Sequence, residues 1–172
     1  RGGVWETRDA GGTWTPITDD APTLATGAVA FAPSNPDTIY AATGEAGWNV
    51  GVGLLKSTDG GQSWALLGQS LARTSIRRLH VDPNDANIVL VASSRGSSGR
   101  DASDISPPRP VPGVWRSTDG GNNWTRSLTG QATALEVDPT NFSRPYASIG
   151  EQTPGFPSDA PPSPNGVYRS TN

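Results

Sequence analysis

The sequence predicts an all-β fold assembled from repeated four-stranded antiparallel sheets, and three observations predict it. Two short motifs recur in fixed alternation along the 172 residues. Glycine (21 residues) and proline (16 residues) punctuate short apolar runs at regular places, which marks turns between strands rather than disorder. No window sustains the 3.6-residue apolar period of an amphipathic helix, so almost no helix is expected.

The first motif begins at Gly3, Gly53, Gly113 and Gly166. It reads Gly3-Val4-Trp5-Glu6-Thr7-Arg8-Asp9-Ala10-Gly11-Gly12-Thr13-Trp14, then Gly53-Leu54-Leu55-Lys56-Ser57-Thr58-Asp59-Gly60-Gly61-Gln62-Ser63-Trp64. It returns as Gly113-Val114-Trp115-Arg116-Ser117-Thr118-Asp119-Gly120-Gly121-Asn122-Asn123-Trp124, and Gly166-Val167-Tyr168-Arg169-Ser170-Thr171-Asn172 follows it as far as the aspartate position. The second motif lies between the copies of the first. Phe31-Ala32-Pro33-Ser34-Asn35-Pro36 aligns with His80-Val81-Asp82-Pro83-Asn84-Asp85 and with Glu136-Val137-Asp138-Pro139-Thr140-Asn141. Each copy of the second motif is a strand, a Pro/Asn turn and a strand.

The elements follow in order. The first repeat supplies strands C and D, about 3–7 and 13–17. The second supplies A about 27–32, B 38–43, C 53–57 and D 63–68. The third supplies A about 76–81, B 87–93, C 113–117 and D 123–127, and the fourth A about 133–137, B 145–149 and C 166–170. Four-stranded antiparallel units that must stack to bury their faces describe a β-propeller. The expected division is a single partial propeller over 1–172, with strands C–D of the first blade in 1–20, the second blade in 21–70, the third in 71–130 and strands A–C of the fourth in 131–172. That is about three and a quarter blades of a ring of six to eight. Open edges and the missing initial Met lead to the expectation of a piece cut from something longer. A second chain or fragment, possibly another copy, would complete the ring.

Composition excludes several function classes. A net charge of −3, with Arg77-Arg78 the longest basic run, disfavours nucleic acid. No run approaches the 18 apolar residues of a membrane span. With no Cys in the chain, disulfides, thiolate metal sites and a cysteine nucleophile are excluded. No metal and no cofactor are expected.

In the first motif, Asp59 and Asp119 are expected to accept backbone N–H groups of the C–D turn. Gly60-Gly61 and Gly120-Gly121 permit the reversal, and Trp64 and Trp124 fold back over it. Asp9, Gly11 and Trp14 make the same turn. These residues resemble the Asp box, Ser/Thr-x-Asp-x-Gly-x-x-Trp, and the resemblance covers the whole chain. Asp boxes occur in sialidases, sortilin-type receptor domains, the tandem-propeller xyloglucan-cleaving glycoside hydrolases and secreted bacterial repeat proteins. The resemblance implies a structural role for Asp9, Gly11, Trp14, Asp59, Gly61, Trp64, Asp119, Gly121 and Trp124. It also implies a secreted or cell-surface, bacterial setting, and places ligands at the opposite end of the blades, on the B–C and D–A loops.

On those loops the candidate ligand-binding residues are Glu45, Trp48, Asn49, Asp101, Asp104 and Glu151. Trp48 would either stack on a sugar ring or plug a neighbouring loop. Glycoside hydrolysis requires two carboxylates, about 5–5.5 Å apart for retention or about 6.5–9.5 Å for inversion. Glu45 and Glu151 occupy the same place after strand B, two blades apart. Trp5 and Trp115 share a strand C position with Leu55 and Tyr168, and are expected to pack blade on blade. Strict alternation would send Arg77 and Arg78 to opposite sides. His80 is expected to pack in the core or turn, and Asp82 and Asp138 to fix A–B turns. Asn123-Trp124-Thr125 and Asn141-Phe142-Ser143 match the glycosylation pattern by accident. Neither the sialidase arginine cluster nor a match to the xyloglucanase catalytic segments is recognisable. The leading expectation is therefore a non-catalytic extracellular binding or scaffold module. The alternatives are a fragment of a glycoside hydrolase acting on polysaccharide, and a sortilin-like protein- or peptide-binding propeller.

Overall fold

The computed structural model describes residues 2–45, 49–95, 110–150 and 165–171. Among these the chain is all-β. Four antiparallel sheets follow one another in sequence. Sheet 1 holds β1 (Trp5–Glu6) and β2 (Thr15–Pro16). Sheet 2 runs through β3 (Thr26–Ala32), β4 (Asn35–Thr43), β5 (Leu54–Ser57) and β6 (Ala65–Leu67). Sheet 3 repeats the order with β7 (Ser75–Val81), β8 (Val89–Ser94), β9 (Gly113–Ser117) and β10 (Thr125–Thr129). Sheet 4 has β11 (Gln131–Asp138), β12 (Asn141–Gly150) and β13 (Gly166–Arg169). Among the described residues one helical turn occurs, a 3₁₀ turn at Gln69–Leu71 entered from Gly68 in the left-handed region, φ 61°.

Sheets 2, 3 and 4 pack face to face in chain order, because a single sheet is too thin to bury either face alone. Between sheets 2 and 3, Tyr40, Ala42, Leu54, Leu79, Val81 and Val91 form one core, with Trp115 and Trp124 packed against it. Between sheets 3 and 4, Leu90, Ala92, Val114, Leu135, Ala147 and Ile149 form a second, joined by Tyr168. Sheets 1 and 2 are tied by Gly3 N–H donating to the Leu24 carbonyl at 3.0 Å. The Trp64 indole N–H also donates to the Ile17 carbonyl at 2.7 Å.

Strand register corrects the motif alignment by one residue. Phe31 pairs with Ile39, Val81 with Val89 and Val137 with Pro145. Phe31-Ala32-Pro33 is therefore equivalent to Val81-Asp82-Pro83 and Val137-Asp138-Pro139. The shift puts the turn prolines in one place and the apolar residues before them on one face.

The same pairing shows a bulge at one position in the first strand of each larger sheet. It falls between Thr26 and Ala28, between Ile76 and Arg78, and between Ala132 and Ala134. The unpaired residues are Gly27, Arg77 and Thr133. Strict alternation therefore fails for Arg77 and Arg78, because a bulge resets the period. Arg77 Nε donates to Ser94 Oγ at 2.7 Å, and the exposed Arg78 returns a hydrogen bond to the Arg77 carbonyl.

Candidate functional site

The two ends of the sheets differ in construction. At one end lie the aspartate turns. Ser63 N–H donates to Asp59 Oδ1 at 2.9 Å and Ser63 Oγ to Oδ2 at 2.6 Å. Ser57 Oγ donates to Asp59 Oδ1 at 2.7 Å and accepts from Gly61 N–H at 2.8 Å. Asp119 receives the same set from Asn123 N–H, Asn123 Nδ2 and Ser117 Oγ. Asp9 receives it from Thr13 N–H, Thr13 Oγ1 and Thr7 Oγ1.

These bonds favour the carboxylate. Asp59, helped first by the Ser63 hydroxyl, is lowered to about 2. Asp9 and Asp119, helped first by the Thr13 and Asn123 backbone N–H groups, are also lowered to about 2. A polar donor four residues after each aspartate was available in the sequence at Thr13, Ser63 and Asn123, in a place where the motif leaves the residue open. The turn needs left-handed backbone at its second glycine, with φ 89° at Gly61 and 94° at Gly121.

The Asp59 and Asp119 turns are fastened to their neighbours. Gly60 N–H donates to the Asp37 carbonyl and Gly120 N–H to the Asn87 carbonyl, so strand A–B and C–D turns share this end. Trp64 and Trp124 are half-buried. Trp124 Nε1 donates to the Gly121 carbonyl at 2.9 Å. Trp5 and Trp14 do not follow the packing expected of them. They are exposed, because nothing among the described residues packs on the outer side of sheet 1. Trp5 Nε1 instead reaches the Gly2 carbonyl.

A second polar cluster at this end spans two sheets. Tyr40 is buried in sheet 2 and donates its hydroxyl to the Ala86 carbonyl of sheet 3 at 2.8 Å. Burial, with Asp85 and Asp119 adding to it, pushes its phenol up to about 12. Lys56 Nζ lies 5.3 Å from the ring centroid. Burial lowers this ammonium, against the opposing pull of Asp119.

The turns expected at Asp82 and Asp138 have matching bonds. Asn84 N–H donates to Asp82 Oδ1 and Thr140 N–H to Asp138 Oδ1. Asp138 is lowered, first by the Thr140 hydroxyl. His80 Nε2 lies 2.9 Å from the Leu135 carbonyl, a contact between sheets 3 and 4. Asn123, within one glycosylation pattern, is occupied by Asp119.

At the other end, Glu45 and Asn49 pair in an isolated antiparallel bridge. Glu45 N–H donates to the Asn49 carbonyl at 2.8 Å, and Asn49 Nδ2 donates to Glu45 Oε2 at 2.8 Å. The chain is then clamped to the connection between sheets 2 and 3. Gly51 N–H donates to the Thr74 carbonyl and Arg73 N–H to the Gly51 carbonyl, both at 2.7 Å. Arg73 takes φ 68°, a left-handed conformation uncommon outside glycine.

The buried Thr43 holds the loop from within. Its hydroxyl accepts from Val52 and Gly53 N–H and donates to the Gly53 carbonyl. Ser93, its register equivalent, does the same for Gly113 and also meets Trp115 Nε1 at 3.2 Å. The buried Ser75 hydroxyl, beside this loop, makes no hydrogen bond among the described residues. Sequence reasoning missed Thr43 and Ser93, since one hydroxyl at the end of a strand carries no pattern of its own.

The structure thus brings Glu45 and Asn49 together. Trp48, Asp101, Asp104 and Glu151 lie outside the described residues. Among the described residues no group of three His, Asp or Glu side chains gathers to hold a metal. No described helix is long and apolar enough to cross a membrane.

No family model matches the chain. It is similar to a xyloglucanase of Paenibacillus sp, 27% identical over 201 residues, covering 99% of this chain and 18% of the relative. A xyloglucanase of Hypocrea jecorina is 27% identical over 156 residues, covering 81% of this chain and 17% of its own length. Xyloglucanase Xgh74A of Acetivibrio thermocellus is 25% identical over 200 residues, covering 99% and 22%. The chain therefore spans about a fifth of the length of the curated relatives it matches.

Solved structures share the fold. An ancestral GH74 enzyme superposes with TM-score 0.64 at 24% identity, covering 99% of this chain and 20% of that one. The GH74 xyloglucanase of Xanthomonas campestris superposes with TM-score 0.69 at 16% identity, covering 99% and 26%. These findings correct the expectation of a non-catalytic binding or scaffold module. The curated proteins matched along the chain are glycoside-cleaving enzymes by name. The likeness runs to GH74 xyloglucanases rather than to sortilin-type domains.

Proposed function

We propose that this chain is the repeat-sheet portion of a secreted glycoside hydrolase acting on a xyloglucan-like polysaccharide. The observation that carries this reading is its similarity to a xyloglucanase over 99% of its length. In this reading the four sheets are Asp-box blades of a larger propeller. The aspartate turns hold the blades together, and the Glu45–Asn49 end faces the polysaccharide.

The chemistry of that end supports a sugar ligand. The Asn49 amide orients the Glu45 carboxylate, and an oriented carboxylate accepts hydrogen bonds from sugar hydroxyls. Trp48 supplies an aromatic face for a pyranose ring. Asp101, Asp104 and Glu151 are the remaining acids proposed for the same end. Because the chain spans a fifth of its relatives, bond cleavage belongs to the whole protein, and binding is the property to measure on this chain. Affinity electrophoresis through a xyloglucan gel is expected to retard the chain. Trp48→Ala is expected to abolish the retardation, and Glu45→Gln to weaken it about tenfold, the loss of roughly 1.4 kcal/mol from one charge-assisted hydrogen bond. Migration unchanged by xyloglucan would remove the reading.

A further inference from the structure

The bulge in β7 turns two consecutive arginines to one face. Ser75 pairs with Ser94 and Arg78 with Ala92, and Arg77 is left unpaired before Arg78. Ser94 and Ala92 stand two residues apart on β8, so Ser75 and Arg78 opposite them share their face. Arg77 joins them, because its Nε donates to Ser94 Oγ at 2.7 Å. Strict alternation would have sent one of the two arginines to the other side. Ala92 belongs to the core between sheets 3 and 4, so this face is turned to sheet 4. Arg95 N–H spans the same gap, donating to Gln131 Oε1 at the start of sheet 4 at 2.7 Å. A Cβ on Gly44 would lie 2.9 Å from Ser75 Cα, which puts the cluster at the Glu45–Asn49 end.

What these side chains still offer is donors. A guanidinium has five N–H groups and no acceptor. Arg77 engages one of them on Ser94, and Arg78 engages Nη1 on the Arg77 carbonyl. An N–H donor can meet only the oxygen of the Gln131 amide, so the Nε2 group of Gln131 keeps its own N–H pair for another partner. Behind them the Ser75 hydroxyl is 0% exposed and has no hydrogen-bond partner among the described residues. Arg8 pairs with Glu6 and Arg144 with Asp138, but among the described residues neither Arg77 nor Arg78 meets a carboxylate. Two like charges on one face repel, and an anion between them removes the repulsion. A sugar hydroxyl both donates and accepts, whereas an ionised carboxylate only accepts, so a set of donors alone fits the carboxylate.

We infer that the gap between sheets 3 and 4 binds the carboxylate of an acidic sugar, a uronate, through Arg77, with Arg78 and Gln131 beside it. The two Nη groups of Arg77 present the planar fork that matches the two oxygens of a carboxylate. The inference rests on the reading of the Glu45–Asn49 end as the polysaccharide end, and it assigns an acidic residue to the glycan accepted there.

Isothermal titration calorimetry with trigalacturonate tests it. The methyl-esterified trimer is the neutral control, and acetate and inorganic sulfate are the free anions. Trigalacturonate is expected to bind, and esterification to weaken it about tenfold or more, the effect of losing charge-assisted hydrogen bonds. Arg77→Gln and Arg78→Gln are each expected to weaken the acid about tenfold and to leave the ester unchanged. Arg77→Lys, which keeps the charge and loses the fork, is expected to fall between Arg77→Gln and the wild type. Arg78 is exposed, so its variant reads binding even where Arg77→Gln lowers the urea midpoint. Equal binding of acid and ester overturns the proposal, as does binding unchanged in both glutamine variants, or a wild-type chain that binds no trimer. Acetate or sulfate bound as tightly as the trimer overturns the assignment to a sugar. Retardation by neutral xyloglucan is read on the same preparation. A chain retarded by xyloglucan that does not bind the trimer loses this inference alone. One that binds the trimer and passes xyloglucan unretarded loses the hydrolase reading instead.

Discussion

At the scale of single residues, the aspartate turns are small electrostatic locks whose strength depends on ionisation. Asp9, Asp59 and Asp119 titrate at about 2, against an ordinary 3.8. A carboxyl whose folded value is depressed stabilises the fold above its unfolded value, and that stability is lost as pH falls through the folded value. The thermal midpoint is therefore expected to hold above pH 4 and to fall between about pH 4 and pH 2. In an Asp59→Asn, Asp119→Asn double variant it is expected to be lower throughout and flatter across that window. Calorimetry over the pH series checks this, and an unchanged slope would remove these turns as its source. At the opposite end the Thr43 hydroxyl serves the buried Gly53 N–H and the half-buried Val52 N–H. Thr43→Val keeps the shape and leaves both donors unpaired, at about 2–5 kcal/mol for the two. Urea unfolding is the measurement, and a loss below about 1 kcal/mol would mean that the loop finds other partners.

At the scale of elements, the sequence was legible wherever a local pattern forces the structure. The Ser/Thr-x-Asp-x-Gly core of each turn is complete within a few residues, so strands on either side were placed to within a few positions. The one-residue error in aligning the Pro/Asn turns has a physical source. The turns are equally long, eight residues from Phe31 to Ile39, from Val81 to Val89 and from Val137 to Pro145, but Asn35 lies two residues after Pro33 and Asn84 one after Pro83, so matching asparagines pulls the prolines out of register. The bulges were not legible, because Gly27, Arg77 and Thr133 share no side-chain chemistry. What they share is backbone. At Gly27 a Cβ would press on the Ile76 and Gly44 carbonyl oxygens, both backbone atoms that cannot turn aside. Gly27→Ala is therefore expected to destabilise the fold by about 1–3 kcal/mol through overpacking between sheets 2 and 3. Thr133→Ala, at an exposed bulge, is expected to cost far less. Equal losses in chemical denaturation would deny that the close approach matters.

At the scale of the molecule, the candidate site was legible only in part. Glu45 and Asn49 stand out in the sequence because they follow a strand in a loop opposite the aspartate turns, and the Asn49 amide joins them in the structure. Their clamp, the Arg73, Thr74 and Gly51 backbone, was invisible because it unites residues more than twenty apart through carbonyls that any residue supplies. Trp5 and Trp14 show the same limit from the other side. Each matches its repeat partners in sequence, yet each is exposed, because burial belongs to the neighbouring sheet and not to the residue.

By itself the sequence determined that this chain is all-β, where its aspartate turns fall, and how many strands each sheet carries. These are consequences of short-range rules, such as period-two apolarity, glycine at positive φ, and a carboxylate within reach of nearby N–H groups. Only the tertiary structure decided the stacking register, the bulges, the Thr43 and Ser93 anchors, and which faces stay open. Those depend on contacts between residues distant in the chain, where the backbone and the neighbouring sheet, rather than local side-chain pattern, set the energy.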